Sequence, residues 1–318
     1  MKLVITIDTE EDNWGNFSPT GYTLKNIGRI PALQDLFDEF KALPTYLVTY
    51  PVASDPAAIS ILKPIMDGGR CEIGAHCHPW NTPPFSEETN SRNSMLCNLP
   101  ADVQYEKLLA LHKTIQKNFA VRPVSFRSGR WGYGASVAKN LSRLGTRVDT
   151  SVLSYEDWSQ HYGPDYSLIP PRPFRFSIKD IYHEAKTGSM LEVPATAGYL
   201  QENYAFSNWL LLMLKRYPFR KLRFVGLLSR LQLLNKVWLS PETSSSDDMI
   251  RLVRSMARNN YKVINMFFHS STLHEGMTPY VRTKYDENQF MRTIREFLDF
   301  VRNEGIQSIQ LKDCESEK

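Results

Sequence analysis

The sequence predicts an α/β fold in which parallel strands are joined by helical crossovers. Three observations support this prediction: apolar runs alternate with amphipathic segments over the first 155 residues, the alternation returns after residue 246, and polar side chains follow several apolar runs. Alternating strands and helices are typical of parallel sheets, because a parallel connection needs a long crossover. With 318 residues, 42% of them hydrophobic, the chain can bury one large core.

Five predicted strands alternate with four helical patterns in the first half of the chain. β-branched and aromatic residues mark the strands, whereas apolar residues at helical spacing, such as Leu33, Leu36 and Phe40, mark the helices. The predicted strands are residues 3–7, 45–49, 72–76, 124–127 and 148–152. The predicted helices are residues 30–43, 57–66, 101–119 and 136–144.

The middle of the chain departs from this pattern. Residues 164–176 are rich in proline and aromatic residues, so we expect irregular structure there. Residues 206–242 hold seven basic residues, one acid and many large apolar residues, which gives this segment a net charge of +6. We expect a pair of helices that cap the core, with a basic amphipathic surface for anionic lipid as the alternative. The predicted elements that follow are helices over 247–259 and 287–303 and strands over 262–269 and near 308–311.

Charge and cysteine content narrow the class of protein. The net charge is only +4, which gives no electrostatic argument for nucleic-acid binding. The first residues show no secretory signature, and no stretch reaches the ~18 apolar residues of a membrane span, so we expect a cytoplasmic protein. The four cysteines show no disulfide spacing and are expected to be free thiols.

Two histidines have the spacing of a metal-ligand pair. His76 and His78 end an apolar run, and residues two apart on an extended backbone point to the same face. An acidic cluster with Asp8, Glu10 and Asp12 follows the first predicted strand. Either pattern alone is more often a polar loop. Ligands in α/β sheets gather beyond the carboxyl ends of strands, so the two patterns together predict one metal site.

Two further polar residues lie at predicted strand ends. His269 ends a strand that is apolar on both faces and is well placed as a general acid, with a buried structural histidine as the alternative. Arg127 can pair with Asp8 and hold it ionised, with a surface charge as the alternative. Asp8 can then act as a general base for a metal-bound water, and Glu10 can bind the metal.

At these positions the chain resembles the NodB-type polysaccharide deacetylases, carbohydrate esterases with a distorted (β/α) barrel. The resemblance covers nearly the whole chain and follows the order of the family's motifs. The segment that ends in Asp8 is similar to the first motif and its catalytic base, and the segment that ends in His76 is similar to the second and its metal ligand. Arg127 matches the arginine of the third motif, which orients the base.

The later motifs are matched as well. Asp149 lies in a segment similar to the fourth motif, which forms a wall of the substrate groove. His269 matches the histidine of the last motif, which acts as the acid. The strings His-x-His-Pro-Trp and Phe-Phe-His-Ser-Ser are similar to those of the WalW-like branch of surface-polysaccharide gene clusters.

The chain departs from the family pattern at two metal-ligand positions. Thr9 stands where the family has a second aspartate, so the ligand role passes to Glu10, with Asp12 as the weaker candidate. Trp80 stands where the family has its second histidine, so His78 substitutes. The expected ligands are Glu10, His76 and His78, and Zn²⁺ is the expected ion. Some relatives have lost the metal, so metal independence is the alternative.

Aromatic residues in or near the motifs are expected to contact a sugar, because apolar sugar faces pack on aromatic rings; shielding of the site or filling of the core is the alternative. A backbone amide near Arg130 is expected to complete the oxyanion hole. Tyr199 is expected, from position alone, to line the same groove. The expected substrate-binding residues are Trp80, Arg130, Trp131, Tyr133 and Asp149, with Trp14 nearby.

The resemblance implies a metal-dependent hydrolase that removes an N-acetyl group from a nucleotide- or lipid-linked sugar intermediate of surface-polysaccharide biosynthesis. The alternatives are a cyclic amide or imide hydrolase that needs no metal, a deformylase of a lipid-linked amino sugar, and a carbohydrate-binding protein without activity. We expect one deacetylase-like domain over residues 1–318, with a helical basic insertion at about 206–242; peripheral contact of this insertion with the inner face of the membrane is the alternative to its capping the core. No nucleic-acid partner is expected.

Overall fold

A ten-stranded sheet forms the centre of the computed structural model, which describes residues 1–216 and 224–316. Two further strands, β9 and β10, pair with each other. The strands are β1 (Lys2–Thr9), β2 (Pro44–Val48), β3 (Glu72–Cys77), β4 (Ser125–Ser128), β5 (Val148–Asp149), β6 (Phe174–Ser177), β7 (Asp180–Glu184), β8 (Met190–Glu192), β9 (Ala197–Tyr199), β10 (Lys236–Trp238), β11 (Val263–His269) and β12 (Gln307–Ser308).

The sheet is parallel over the order β11-β1-β2-β3-β4-β5-β8 and curls into a barrel. The chain that continues from β8 reaches β11, where the Thr196 N–H donates to the Asn265 carbonyl at 3.1 Å. The Asn265 N–H in turn donates to Thr196 Oγ1 at 2.9 Å. This closure confirms the prediction of a distorted α/β barrel. In such a barrel the parallel strands alternate with helices that pack on the outside.

The helices lie close to the predicted positions. For example, α1 ends at Phe40 instead of residue 43, because Lys41 adopts a left-handed backbone with φ 55°. The predicted helix over 136–144 ends as expected before Gly145, whose φ is 86°. The helices are α1 (Ile30–Phe40), α2 (Tyr50–Ser54), α3 (Pro56–Asp67), α4 (Ala101–Phe119), α5 (Ala135–Leu144), α6 (Tyr204–Lys215), α7 (Phe224–Arg230), α8 (Ser246–Arg258) and α9 (Lys284–Asn303).

The prediction of irregular structure over residues 164–176 was wrong at its end. β6 begins at Phe174 and pairs antiparallel with both β7 and β8, which extends the sheet beyond the barrel. Phe174 and Phe176 are buried, whereas Arg175 and Ser177 between and after them are partly exposed. This alternation is the strand signal that the proline-rich composition obscured.

The expected pair of helices occurs in the insertion as α6 and α7. The segment then returns to the barrel as β10, which pairs antiparallel with β9, so its last part is not helical. Arg220, Lys221 and Arg223, three of the basic residues in the predicted lipid-binding surface, lie outside the described residues. Within the described ranges, no helix combines the length and the hydropathy needed to cross a membrane.

Candidate active site

A cavity of about 400 Å³ opens at the carboxyl ends of the barrel strands. It brings together residues more than 250 positions apart, because β1 lies between β2 and β11 and places Asp8 in register with His269. Arg127, Tyr133 and Asp149 are not among the residues that line it. The predicted site residues that do line it are Asp8, Glu10, His76, His78, Trp80, Arg130, Trp131 and His269.

Three of these residues form a cluster suited to a cation. Glu10 Oε2 lies 3.8 Å from His76 Nε2 and 3.5 Å from His78 Nε2. The three side chains can offer one ligand atom each, with all three atoms within 4.8 Å of one another. One carboxylate and two imidazoles are a common donor set for Zn²⁺ that leaves coordination positions open.

The tautomer of His76 supports this fit. Its Nδ1 lies 3.0 Å from the backbone carbonyl of Arg127, which can only accept, so Nδ1 carries the proton. Nε2 therefore presents a lone pair, and among the described residues this buried atom has no hydrogen-bond partner. Burial lowers the pKa of His76 to about 3, which keeps the ring neutral, as a metal ligand must be. Burial also raises the pKa of Glu10 to about 7, a shift that a bound cation would oppose.

A second carboxylate, Glu11, lies on the side of the His78 ring that faces away from Glu10. Glu11 Oε1 lies 3.7 Å from His78 Nδ1 and accepts a hydrogen bond from Asn81 Nδ2 at 2.7 Å. Its other oxygen accepts from Thr49 Oγ1 at 3.2 Å. The Trp80 ring stacks on the His78 ring with centroids 4.1 Å apart. A histidine backed by a carboxylate is the usual arrangement around a bound metal, because the carboxylate orients the ring and raises its basicity.

The position of His78 requires a glycine on the neighbouring loop. A Cβ atom on Gly129 would lie 2.0 Å from His78 Cδ2 and 2.9 Å from the Cys77 carbonyl oxygen. Any side chain at residue 129 would therefore displace the imidazole. The loop after β4, which contains Gly129, Gly132 and Gly134, thus approaches His78 closely at Gly129.

Arg127 lies beneath the cavity and holds Asp8. Its Nη1 donates to Asp8 Oδ1 at 2.7 Å, its Nη2 to Thr6 Oγ1 at 2.7 Å, and its Nε to the Thr150 carbonyl at 3.0 Å. Burial by itself would raise the pKa of Asp8, but Arg127, with help from His76 and His269, outweighs it and lowers the pKa to about 2. Asp8 is therefore ionised at neutral pH, and Arg127 leaves Oδ2 available to face the cavity.

His269 faces Asp8 and is backed by Glu242. Its Nε2 lies 3.7 Å from Asp8 Oδ2, and its Nδ1 lies 3.1 Å from both oxygens of Glu242. Thr272 Oγ1 donates to the same carboxylate at 2.6 Å. Burial would lower the pKa of His269, but Glu242, Glu10 and Asp8 outweigh it and raise the pKa to about 10. The ring is therefore cationic at neutral pH.

Sequence reasoning missed Glu242, as it missed the role of Glu11 behind His78. Glu242 stood out only as the single acid of a basic segment, and no local pattern connects it with a histidine 27 residues later. Trp158 and Trp238 also line the cavity without having been predicted. Trp158 lies beside Trp131, with ring centroids 6.4 Å apart.

The predicted substrate-binding residues fall into two groups. Trp80, Trp131 and Arg130 line the cavity, and Trp14 meets the His269 ring edge-on at a centroid distance of 4.8 Å. Arg130 lies over the Phe17 ring at 4.8 Å and donates to Ser94 Oγ. The others are buried elsewhere: Tyr133 is 1% exposed, Asp149 is fully buried and accepts from Ser151 Oγ at 2.8 Å, and Tyr199 donates to Asn208.

The weaker metal-ligand candidate has a structural role. Asp12 Oδ2 accepts hydrogen bonds from Thr23 Oγ1 at 2.8 Å and from the Lys25 N–H at 2.7 Å. Asn26 Nδ2 donates to the other oxygen at 2.7 Å. Asp12 is thus fully used in fastening the loop after β1, away from the cluster around Glu10.

Several solved structures share this fold. No family model matches the chain, and no curated protein matches it in sequence. A candidate glycoside hydrolase or deacetylase from Parabacteroides distasonis is similar with a TM-score of 0.61 and 10% identity, over 98% of this chain and 70% of that one. A candidate polysaccharide deacetylase from Mycobacterium smegmatis is similar with a TM-score of 0.56 and 13% identity. The similarity covers 99% of this chain and 88% of that one.

An allantoinase is similar with a TM-score of 0.53 and 10% identity, over 98% of this chain and 88% of that one. At such identities the similarity establishes the fold. The chain has the distorted barrel fold of the polysaccharide deacetylases, and the same fold occurs in the allantoinase.

Proposed function

We propose that this protein is a metal-dependent hydrolase that removes the N-acetyl group from an amino sugar. The observation that carries the proposal is the convergence of the cluster Glu10, His76 and His78 with the charged pair Asp8 and His269 in one cavity. Amide hydrolysis at neutral pH needs an activated water, a stabilised oxyanion and a protonated leaving amine. A divalent cation, Zn²⁺ in the first instance, supplies the Lewis acid when these three ligands hold it.

The residues around the cluster provide the proton transfers. Asp8 is ionised and held at one oxygen by Arg127, so its Oδ2 can take a proton from the attacking water. His269 is protonated, and Glu242 holds its Nδ1 so that Nε2–H faces Asp8 and the cavity. His269 then donates this proton to the nitrogen as the C–N bond breaks, so that the sugar amine leaves as a neutral group and acetate is released.

The cavity wall suits a sugar that carries an anionic group. The Trp80 and Trp131 side chains line the cavity and contribute apolar surface to it, against which a pyranose ring can pack. Arg130 also lines the cavity, and within residues 1–216 and 224–316 no carboxylate pairs with it. An arginine without an acidic partner is suited to a phosphate. We therefore favour a nucleotide- or lipid-linked amino sugar of surface-polysaccharide assembly as the substrate.

The proposal is tested by acetate release from a nucleotide-linked N-acetyl amino sugar by the Zn²⁺-loaded protein. Asp8→Asn and His269→Ala should each lower kcat/KM by about 10²- to 10⁴-fold. Glu184→Gln, an exposed carboxylate on β7, is the matched control and should leave the rate unchanged. Near-wild-type turnover by either site variant would defeat the mechanism.

Hydrolysis of a different C–N bond is the second candidate, since the same fold occurs in an allantoinase. A panel of N-acetyl sugars, N-formyl sugars and cyclic amides separates the candidates. Activity on cyclic amides that survives complete removal of metal by a chelator would favour the cyclic amide hydrolase over the deacetylase.

A further inference from the structure

The helix α6 departs from the usual amphipathic arrangement, because two of the four residues that it buries are polar. The residues that it buries are Tyr204, Ser207, Asn208 and Leu211. Asn208 is satisfied in this position, because its Nδ2 donates to the Ser167 carbonyl at 2.8 Å and its Oδ1 accepts from Tyr199. A surface helix normally turns its polar residues to water. Here two polar residues face the protein, and large apolar residues face outward.

The outward residues of α6 and of the neighbouring α7 are unusually large and apolar. Phe206 and Trp209 are each 54% exposed, and their rings lie 5.7 Å apart. Leu227 is 53% exposed, and Leu231 and Leu233, just beyond α7, are 57% and 59% exposed. Exposed apolar residues concentrated in this way mark an interaction surface. We call these five residues the insertion face.

An apolar groove lies beside this face. Its volume is about 560 Å³, and its lining includes Trp209, Leu212, Met213 and the 76%-exposed Leu168. The only charged side chain that lines it within the described residues is Arg216. An apolar groove with a single arginine suits a ligand that has a hydrocarbon chain and an anionic head.

The charge of the insertion supports the same kind of ligand. Between residues 204 and 235 the sequence contains six basic residues and no acid. In the described part, Lys215, Arg216 and Arg230 are exposed at the carboxyl ends of α6 and α7. Aromatic and leucine side chains with flanking basic residues are the composition of surfaces that lie in the headgroup region of anionic bilayers.

We propose that the insertion face docks on an anionic lipid bilayer, with Phe206 and Trp209 inserted among the headgroups and with Lys215, Arg216 and Arg230 on the lipid phosphates. The insertion leaves the barrel after β9 and returns through β10, whose last residue, Trp238, lines the catalytic cavity. Docking at this surface would therefore hold the mouth of the barrel near the membrane. The docking itself does not depend on the proposed hydrolase activity.

The test is flotation of the full-length protein with vesicles of phosphatidylcholine alone or with about one third phosphatidylglycerol. We expect binding to the anionic vesicles only, and weaker binding as salt rises, because salt screens the phosphates. Phe206→Ser with Trp209→Ser should lower the partition coefficient by at least about tenfold. Reversal of Lys215, Arg216 and Arg230 to Glu should lower it by at least about 100-fold, since each basic residue that is lost contributes about fivefold and the new carboxylates are repelled by the lipid phosphates.

Matched variants elsewhere on the surface provide the controls. Tyr285→Ser removes a 70%-exposed aromatic ring from α9, and reversal of Lys113, Lys117 and Lys139 to Glu removes exposed positive charge from α4 and α5. Neither should change binding by more than about twofold. Equal loss in test and control variants, or no binding of the wild-type protein, would overturn the proposal.

A second copy of the chain is the rival occupant, and light scattering on the same samples detects it. A dimer that the Phe206→Ser, Trp209→Ser variant converts to a monomer, without vesicle binding by either, would overturn lipid docking. Acetate release from a soluble sugar should be unchanged by the insertion variants. Vesicle binding by a protein that proves unable to hydrolyse any amide would leave the docking intact and refute only the proposed activity.

Discussion

The protonated state of His269 depends chiefly on Glu242, with smaller contributions from Glu10 and Asp8. A buried histidine ordinarily loses its proton, and here the contacts with Glu242 reverse that tendency. Asp8 is the complementary case, because burial would protonate it and Arg127 prevents this. Two groups with opposed pKa shifts, 3.7 Å apart in one cavity, are the arrangement that an acid–base mechanism requires.

Replacement of Glu242 by Gln should lower the pKa of His269, because it removes the largest contribution that raises it. The acid form of His269 would then be lost at lower pH, so the alkaline limb of kcat/KM should move to lower pH. The rate at pH 8 should fall by at least about tenfold. A full pH–rate profile is the measurement, and Glu242→Asp should restore part of the limb. An alkaline limb that does not move would show that Glu242 does not act through His269.

Alanine at residue 129 should disturb the metal ligands without unfolding the protein. Its Cβ would collide with the His78 ring, so we expect a loss of about 10- to 100-fold in Zn²⁺ affinity, measured by competition with a chelator. Gly28→Ala is the control, because no atom lies within 4 Å of a Cβ at that position. Equal Zn²⁺ affinities of the two variants would argue against His78 as a ligand.

At the scale of elements, strand register places charged groups in pairs. The register of β5 and β8 sets Asp149 opposite Glu192, and both are buried. Burial and the neighbouring Asp149 raise the pKa of Glu192 well above its ordinary value, so the pair retains a proton. Val152 N–H donates to one oxygen of Glu192, and the other oxygen is left to face Asp149.

This pair should make stability depend on pH. Above pH 4.5, the ordinary pKa of a glutamate, unfolded Glu192 loses its proton while folded Glu192 keeps it. The folded state then binds more protons, so the free energy of unfolding falls as pH rises, by about 1.4 kcal/mol per pH unit for one full proton. Glu192→Gln has no such proton and should lose less stability between pH 6 and pH 8.5.

Urea unfolding of the Glu192→Gln variant at both pH values tests this. Glu184→Gln, on the exposed strand β7, should keep the wild-type pH dependence. Parallel loss of stability in the wild type and in Glu192→Gln would mean that the pair is ionised in the folded protein.

At the scale of the whole molecule, closure of the barrel brings the site together. The first strand supplies Asp8, the third His76, and the last long strand His269, and the curled parallel sheet places their carboxyl ends around one cavity. A cation in that cavity would add a further link between segments that the sheet and side-chain hydrogen bonds already join. Metal binding should therefore stabilise the entire fold.

Zn²⁺ at about 1,000 times its Kd should add about 4 kcal/mol to the free energy of unfolding, a rise in Tm of about 5 to 10 °C. Differential scanning calorimetry with and without a chelator measures the change. His78→Ala should abolish the rise, whereas Asp8→Asn should retain most of it. If the Tm of the wild-type protein did not change when Zn²⁺ is added, the result would contradict the proposed metal site.

The sequence by itself determined the α/β class, most of the helices and strands, and the identities of Asp8, His76 and His269 as polar groups at strand ends. These features follow from local periodicity, since alternation and helical spacing reveal which residues share a face. The two-residue spacing also predicted that His78 shares a face with His76.

Only the tertiary structure decided how deep each group lies and what it contacts. Glu242 reaches His269 because an insertion returns through β10, and Tyr133 and Asp149 lie away from the cavity lining because neighbouring elements cover them. The tertiary structure likewise decides which side of α6 faces outward, because it buries Ser207 and Asn208 and leaves Phe206 and Trp209 exposed. Such contacts join residues far apart in the chain, and local spacing carries no information about them.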